Sequence, residues 1–410
     1  MHRSNKSTLV ANLLFLMSCA VAAGLVLFAS ETFTLNDSHL LNHNLRTFNR
    51  NWYVVTDEGR IAMSSIPRAM TAQEGALTLE NHLPLISGVD QVLCFLSNNE
   101  DVRVSVGGKL IYTYGLHDET SFGNYFGNVW CMIPLNESYS GKKISIELTA
   151  RCNSTGSGNY AFYLDHRSAI VYRMVLSNLF LLCNCLVGVL MGAALILSGL
   201  YRLSRRAGFS YARLYLGTCM ILATIWAFTY ANLSQMLFHK KAVGYLLNYF
   251  SLYLLPIPFS LLMSFLLPRH AIRYRWMAGF WSVLFLLLTT LYVTGVIELE
   301  TPLRLVHTLI ALMALEMLIT CIFNRDSRAS RILLTGMGIF GIFTLISLGW
   351  FYLASAKKIA TFSMNNLLMA GIDCLAILFY AAIVRNNARA TRYAEHYERQ
   401  AYTAALPQVG

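Results

Sequence analysis

Eight blocks of about 20 consecutive apolar residues, spaced along one chain, leave few folds open. A helix rises 1.5 Å per residue, so such a block crosses a hydrocarbon core of about 30 Å. The first runs from about Leu9 to Phe28, behind Arg3 and Lys6. The other seven lie after Ile170, at about Val171–Leu200, Leu214–Leu237, Val243–Leu267, Trp276–Ile297, Leu303–Phe323, Ile332–Leu353 and Leu367–Val384. Of the 410 residues 56% are hydrophobic and 13% charged. A soluble domain carries about a quarter charged residues, so this excess of apolar matter needs an apolar solvent.

The net charge of +11 fits a membrane chain better than a nucleic-acid binder, because of where the basic residues stand. With the N-terminus inside, sixteen lysines and arginines fall in the cytoplasmic segments (among them Arg205, Arg206, Arg273, Arg325 and Arg389), and five fall in the short outer loops (Lys240, Lys241, Arg304, Lys357 and Lys358). The positive-inside rule then places residues 31–169 outside and the C-terminus in the cytoplasm. Residues 1–30 are expected to be an uncleaved anchor: Val21-Ala22-Ala23 loosely fits a cleavage site, but the apolar run continues through Phe28, beyond a typical signal core.

Residues 31–169 differ in kind. In Val102-Arg103-Val104-Ser105-Val106 every second residue is apolar, and Gly107-Gly108 then leads to Leu110-Ile111-Tyr112, a hairpin with a two-residue glycine turn. Ile144-Ser145-Ile146-Glu147-Leu148 repeats the alternation, and short strands fit Leu77 to Leu79 and Val92 to Phe95. Many short strands with turn residues between them predict an all-β sandwich. Cys94, Cys131 and Cys152 lie in this block, leaving room for one disulfide but not for a framework. The nine cysteines contain no C-x-x-C pair, so a zinc or redox site has no support, and no cofactor, metal ligand or catalytic group is expected. Asn136-Glu137-Ser138 and Asn153-Ser154-Thr155 match glycosylation acceptors, a short pattern that recurs by chance.

Trp52, Tyr53, Arg103, Tyr112, Tyr114 and Trp130 are the residues here suited to hold a sugar or small anion, since aromatic faces and guanidinium groups do that work. The commoner use of Trp52 and Trp130 is to fill the core between sheets. Within the apolar blocks, Asp373 is the residue least expected. A mid-helix carboxylate costs about 2.5–3.5 kcal/mol by insertion scales unless it is paired or wet. Asn366, Asp373 and Tyr380 share one helix face. Glu316 is a second carboxylate, about 180° around its helix from His307 at 100° per residue. These four polar groups, Asn366, Asp373, Glu316 and His307, read equally as a switch and as interhelical hydrogen bonds. Pro256 and Pro258 within one block each remove a backbone donor and predict a kink. Beyond residue 385, Ile383, Asn387, Ala390, Ala394, Tyr397, Ala401 and Ala404 follow the spacing of a coiled-coil seam, mostly in alanine, which would serve a homodimer.

The order of parts resembles the bacterial seven-transmembrane receptors with diverse intracellular signalling modules, in the branch with an outer jelly roll similar to carbohydrate-binding modules. The residues that carry this are Asn81-His82-Leu83-Pro84, Val92 to Ser97, Val102 to Gly108, Ile111 to Gly115, Trp130 to Leu135, Gly141 to Leu148 and the Pro256/Pro258 segment. The resemblance implies an extracellular jelly-roll (galactose-binding-like) domain at 31–169 that takes a small molecule or carbohydrate. It also implies a seven-helix bundle at 170–385 and a cytoplasmic signalling helix at 386–410 that meets a signalling protein. Relatives often continue into a diguanylate cyclase domain of the GGDEF type, opening with a phrase like A-Y-T-D-x-L-T-G-L. Here Ala401-Tyr402-Thr403 matches, but Ala404 replaces the aspartate and Pro407-Gln408-Val409 replaces T-G-L, so no cyclase activity is expected of these residues. A transporter or lipid-handling protein with its site in the bundle is the alternative, though no inverted repeat is visible. A eukaryotic G-protein-coupled receptor is disfavoured, because Pro268-Arg269-His270 stands where D-R-Y is usual.

Overall fold

A computed structural model describes residues 45–56, 59–63, 76–98, 100–115, 128–150, 161–204, 210–238, 241–325, 327–357 and 367–385. The first apolar block, Asn366, Cys152 and the C-terminal seam beyond Ile383 lie outside these residues.

The strands are β1 (Trp52–Thr56), β2 (Gly59–Met63), β3 (Ala76–His82), β4 (Gln91–Asn98), β5 (Glu100–Val106), β6 (Lys109–Tyr114), β7 (Asn128–Leu135), β8 (Lys143–Ala150) and β9 (Tyr163–His166). They build two antiparallel sheets, one of six strands in the order β2-β1-β3-β8-β5-β6 and one of three in the order β7-β4-β9. The alternating residues explain the layering. Val102, Val104 and Val106 of β5 and Ile144, Ile146 and Leu148 of β8 turn inward, while Arg103, Ser105, Ser145 and Glu147 turn out. Leu93, Phe95, Cys131, Ile133 and Leu164 of the smaller sheet close the same core. At its centre Trp52, fully buried, stacks on Phe162 with ring centroids 4.6 Å apart. Each such side chain contributes about 1.5–3 kcal/mol of transfer free energy. The β5–β6 turn needs positive φ at both central residues to match strand twist, and Gly107 (φ 58°) and Gly108 (φ 82°) supply it.

Cys94 and Cys131 are free and buried. Alternation sends Cys131 into the inter-sheet core and Cys94 to the opposite face of its sheet, so these two do not form the disulfide the sequence left open.

Helix α1 (Arg167–Ser177) follows β9 without a linker. It lies across the outer face of the three-stranded sheet, where Ile170 and Met174 pack on Val92, Cys94, Trp130, Met132 and Tyr163. The apolar block expected from Val171 to Leu200 is therefore two elements, divided at Asn178. Hydropathy alone does not distinguish a helix face pressed on a sheet from one pressed on lipid.

The remaining helices are α2 (Leu179–Ser204), α3 (Ser210–Tyr230), α4 (Lys241–Leu254), α5 (Pro256–Leu266), α6 (Ala271–Val293), α7 (Leu303–Phe323), α8 (Arg328–Lys357) and α9 (Leu367–Arg385). Among the described residues, seven stretches are long and apolar enough to cross a membrane, with α4 and α5 together making one of them. This is the pattern of a multi-pass membrane protein. Leu186, Leu190, Leu197, Val283, Leu286, Leu312 and Leu345 stand exposed on these helices, a surface that suits lipid and not water. The α4–α5 break falls at Leu255, where Pro256 and Pro258 have no N–H for the carbonyls of Leu252 and Leu254. Helices α2 and α3 approach closely because a Cβ on Gly217 would stand 2.7 Å from the carbonyl oxygen of Gly192.

Candidate functional site

The outward phase of the six-stranded sheet is almost wholly polar. Register places Thr113, Arg103, Glu147 and Thr78 in one row across β6, β5, β8 and β3, and Leu110, Ser105, Ser145 and Glu80 in the next. Between these strands lies a depression of about 540 Å³ lined by Thr78, Arg103, Ser105, Leu110, Thr113, Ser145 and Glu147. Four hydroxyls, one guanidinium and one carboxylate surround a small apolar floor. The charges are not all alike in their commitments. Glu80 is held by Lys143 at 2.6 Å and Arg60 at 2.9 Å, whereas Arg103 and Glu147 stand 3.9 Å apart and half exposed. An exposed pair so loosely held is worth about 0–1 kcal/mol, so both groups are free to turn to a ligand.

The six residues expected to line a ligand surface are not brought together. Arg103 alone reaches this depression. Trp52 is enclosed in the core and donates its Nε1–H to the carbonyl of Phe48 at 2.6 Å. Tyr112 and Tyr114 lie opposite Val104 and Val102 and face inward with them, and burial pushes the Tyr112 phenol up from its ordinary value. Trp130 sits beneath α1. Tyr53, 41% exposed, lies on the polar face beside Glu80. Thr78, Ser105, Thr113, Ser145 and Glu147 were missed in the sequence, although three of them occupy the polar phase of the alternation that revealed β5 and β8. What was lacking was the strand order that sets β5 beside β8.

A second arrangement joins the β-domain to the helices. At the Gln91 end of the small sheet, the Arg167 N–H bonds the Asp90 carbonyl at 3.1 Å, and the Arg167 guanidinium stands 3.6 Å from the Asp90 carboxylate. His166 Nδ1 lies 3.0 Å from the Val89 carbonyl. These bonds fix the start of α1 to the β3–β4 loop. From there α1 runs back along the sheet toward Trp130, whose N–H is accepted by Gln235 Oε1 at 2.9 Å, in the connection between α3 and α4. Ala242, at the start of α4, packs on the β-domain core. The β-domain and the 231–242 connection thus share one end of the bundle.

Inside the bundle the singled-out polar groups separate. Glu316 turns toward α6, where Arg273 reaches it at 2.6 Å and Thr320 donates its hydroxyl at 3.0 Å. Arg273 also donates to Thr320 Oγ1 at 2.6 Å, closing a three-residue network between α6 and α7. His307 stays on the exposed side of α7. Tyr380 accepts the Arg213 guanidinium over its ring at 5.7 Å. Asp373 is 7% exposed, and neither carboxylate oxygen has a partner among the described residues.

No group of three or more histidine, cysteine or acidic residues among the described residues has the geometry of a metal site. No family model matches the chain, and no curated protein is significantly similar to it.

Proposed function

We propose that this protein is a membrane sensor whose β-domain stands outside the cell and binds a small hydroxyl-rich ligand, with carbohydrate the class that fits best. The depression on the six-stranded sheet carries this reading. It presents hydroxyls in facing rows and one loosely paired Arg103–Glu147 couple, the donors and acceptors that a polyol or sugar engages. In this reading the two sheets are those of a jelly roll, and the arginine-rich helix ends face the cytoplasm.

The junction supplies a route inward. A ligand that changes the spacing of β5 and β8 shifts the core beneath them, and β4 and β9 share that core. α1, fixed at Asp90 and seated on the small sheet, passes the shift to α2 at Asn178 and to the α3–α4 connection through Gln235. α9 then carries it to the C-terminal segment, which meets a signalling protein or a second copy. A ligand biases this equilibrium only by its differential affinity for the two states.

The test uses the full-length chain in lipid nanodiscs, screened with mono- and disaccharides, polyols and sugar acids by thermal shift. A binder should stabilise the wild type and fail to stabilise Arg103→Ala and Glu147→Ala. A broad screen without stabilisation removes the ligand-binding half of the proposal. One observation favours a second reading, transport: Asp373, which has no partner among the described residues, resembles the intramembrane carboxylates of proton-coupled carriers. That reading expects solute uptake into proteoliposomes, abolished in Asp373→Asn.

A further inference from the structure

Asp373 is a carboxyl group with no bonding partner among the described residues. It lies on the face of α9 that carries Met369 one turn before it and Ala376 one turn after. Both neighbours are buried. Met369 belongs to a cluster with Leu181, Cys185, Ala227 and Leu233, and Ala376 to a larger one that includes Leu195, Leu216 and Met220 as well as Leu262, Tyr274 and Leu333. Asp373 therefore sits in the seam between two apolar clusters. The Thr224 hydroxyl on α3 is likewise buried and unpartnered, and it approaches the same seam: both it (2.3 Å) and the Met369 methyl (3.1 Å) crowd the position a Cβ on Gly188 would take. The titratable groups near Asp373 among the described residues are thiols, Cys185 from α2 and Cys374 from α9 itself. From α3 the side chains near this face are Thr224 and Ala227; from α8, Phe340 and Phe343 pack on Gly371. Among the described residues no cation faces it, the Arg213 guanidinium being placed over Tyr380 two turns on.

We infer that Asp373 is a proton-binding site that locks α9 against α2 and α3. In the described arrangement no protein donor reaches the carboxyl oxygens, so the group is held there as the neutral acid. Ionisation breaks its O–H bond and passes the proton to water, and the resulting carboxylate needs hydrogen-bond donors that the closed seam does not offer. The seam must then open to water, or α9 must slide until the idle Thr224 hydroxyl meets Asp373. Either movement displaces the helix that leads to the C-terminal segment relative to α2, the span that α1 joins to the β-domain. Proton and ligand thus act on one pair of helices. The proton site stands whether or not the β-domain binds a sugar.

The experiment is hydrogen–deuterium exchange of the full-length chain in nanodiscs, in mildly acidic and in alkaline buffer, corrected for the chemical exchange rate. In the wild type, peptides from 367–385 should exchange about fivefold faster or more in alkali, through local opening. The neutral isostere Asp373→Asn should remove that difference, and Thr224→Val should change its size. Infrared spectroscopy gives a second readout that needs no folded variant. A carboxylic-acid C=O band assigned by ¹³C-aspartate labelling should be present in acid and vanish in alkali together with the change in exchange. An equal pH response in Asp373→Asn, or a wild type with no protonated aspartate band in acid, overturns the inference.

Discussion

Arg103 and Glu147 face each other across β5 and β8 at 3.9 Å, each half exposed, so the pair contributes little to the fold and the proposed binding of a ligand there can be tested apart from stability. Arg103→Ala should leave the melting temperature within a degree or two, since an exposed pair contributes about 0–1 kcal/mol. It should weaken binding of the sugar found by the screen about tenfold or more, read by calorimetry; a charge-assisted hydrogen bond to a ligand is worth about 1.5–3 kcal/mol. The Arg273–Glu316–Thr320 network is different, because it ties two helices. Glu316→Ala should destabilise the bundle by about 1–3 kcal/mol, as truncating one partner leaves the Arg273 and Thr320 donors without their acceptor. In a double-mutant cycle with Arg273→Gln the two losses should fall well short of additive. Cys94 tests burial in the β-domain. Its thiol is pushed up to about 12 by desolvation first and by nearby Cys131 second. Folded and unfolded states are both neutral below the ordinary thiol value of 9.0, so the stability that burial confers on the neutral form is intact there. It is lost as pH rises from that value toward about 12, because the unfolded thiol ionises first. Cys94→Val should flatten alkaline denaturation in that window, measured against the wild type.

Two elements decide how the parts are joined. α1 is an amphipathic cover for the small sheet, held by Ile170 and Met174 and anchored at Asp90. It ends where the membrane span begins. Ile170→Ala should cost about 2–4 kcal/mol, the usual loss for a fully buried aliphatic, and should uncouple the β-domain from α2 before it disturbs the bundle. Thermal unfolding monitored separately in the two parts would show this. In the bundle, the α2–α3 contact depends on the absence of two side chains. A Cβ on Gly217 would meet the Gly192 carbonyl oxygen at 2.7 Å and the Ile196 backbone nitrogen at 3.0 Å. These are backbone atoms that cannot rotate away. Gly217→Leu should therefore force the helices apart, at a cost of about 1–3 kcal/mol or more, seen as a lower midpoint of thermal unfolding in nanodiscs. Gly338, where an added Cβ would meet nothing within 4 Å, is the control: Gly338→Ala should be neutral or slightly stabilising.

At the scale of the whole molecule the central expectation is sidedness. A cysteine at Leu85, 78% exposed on the β3–β4 loop, should react with an impermeant maleimide in intact cells. One at Arg325, at the far end of α7, should react only after permeabilisation; the reverse pattern would place the β-domain in the cytosol. Apolar run length made the seven described spans legible from the chain alone, because lipid solvates each segment independently of its neighbours; arginine placement supplied the expectation of their direction. Strand alternation did the same for β5 and β8, since one face of a sheet must be dry. Pairing was not legible. Arg103 and Glu147 are 44 positions apart along the chain, and only the β5–β8 register makes them neighbours. The same holds for Trp52 and Tyr112, whose chemistry suits a ligand and whose strand phase sends them inward. Residue chemistry and local periodicity therefore determined the kind of most segments, but not that Arg167–Ser177 lies on the sheet and apart from the span that follows it. Tertiary structure alone decided which polar groups meet, that Glu316 has a partner and that Asp373 has none among the described residues, because those are distances between segments and no local pattern encodes them.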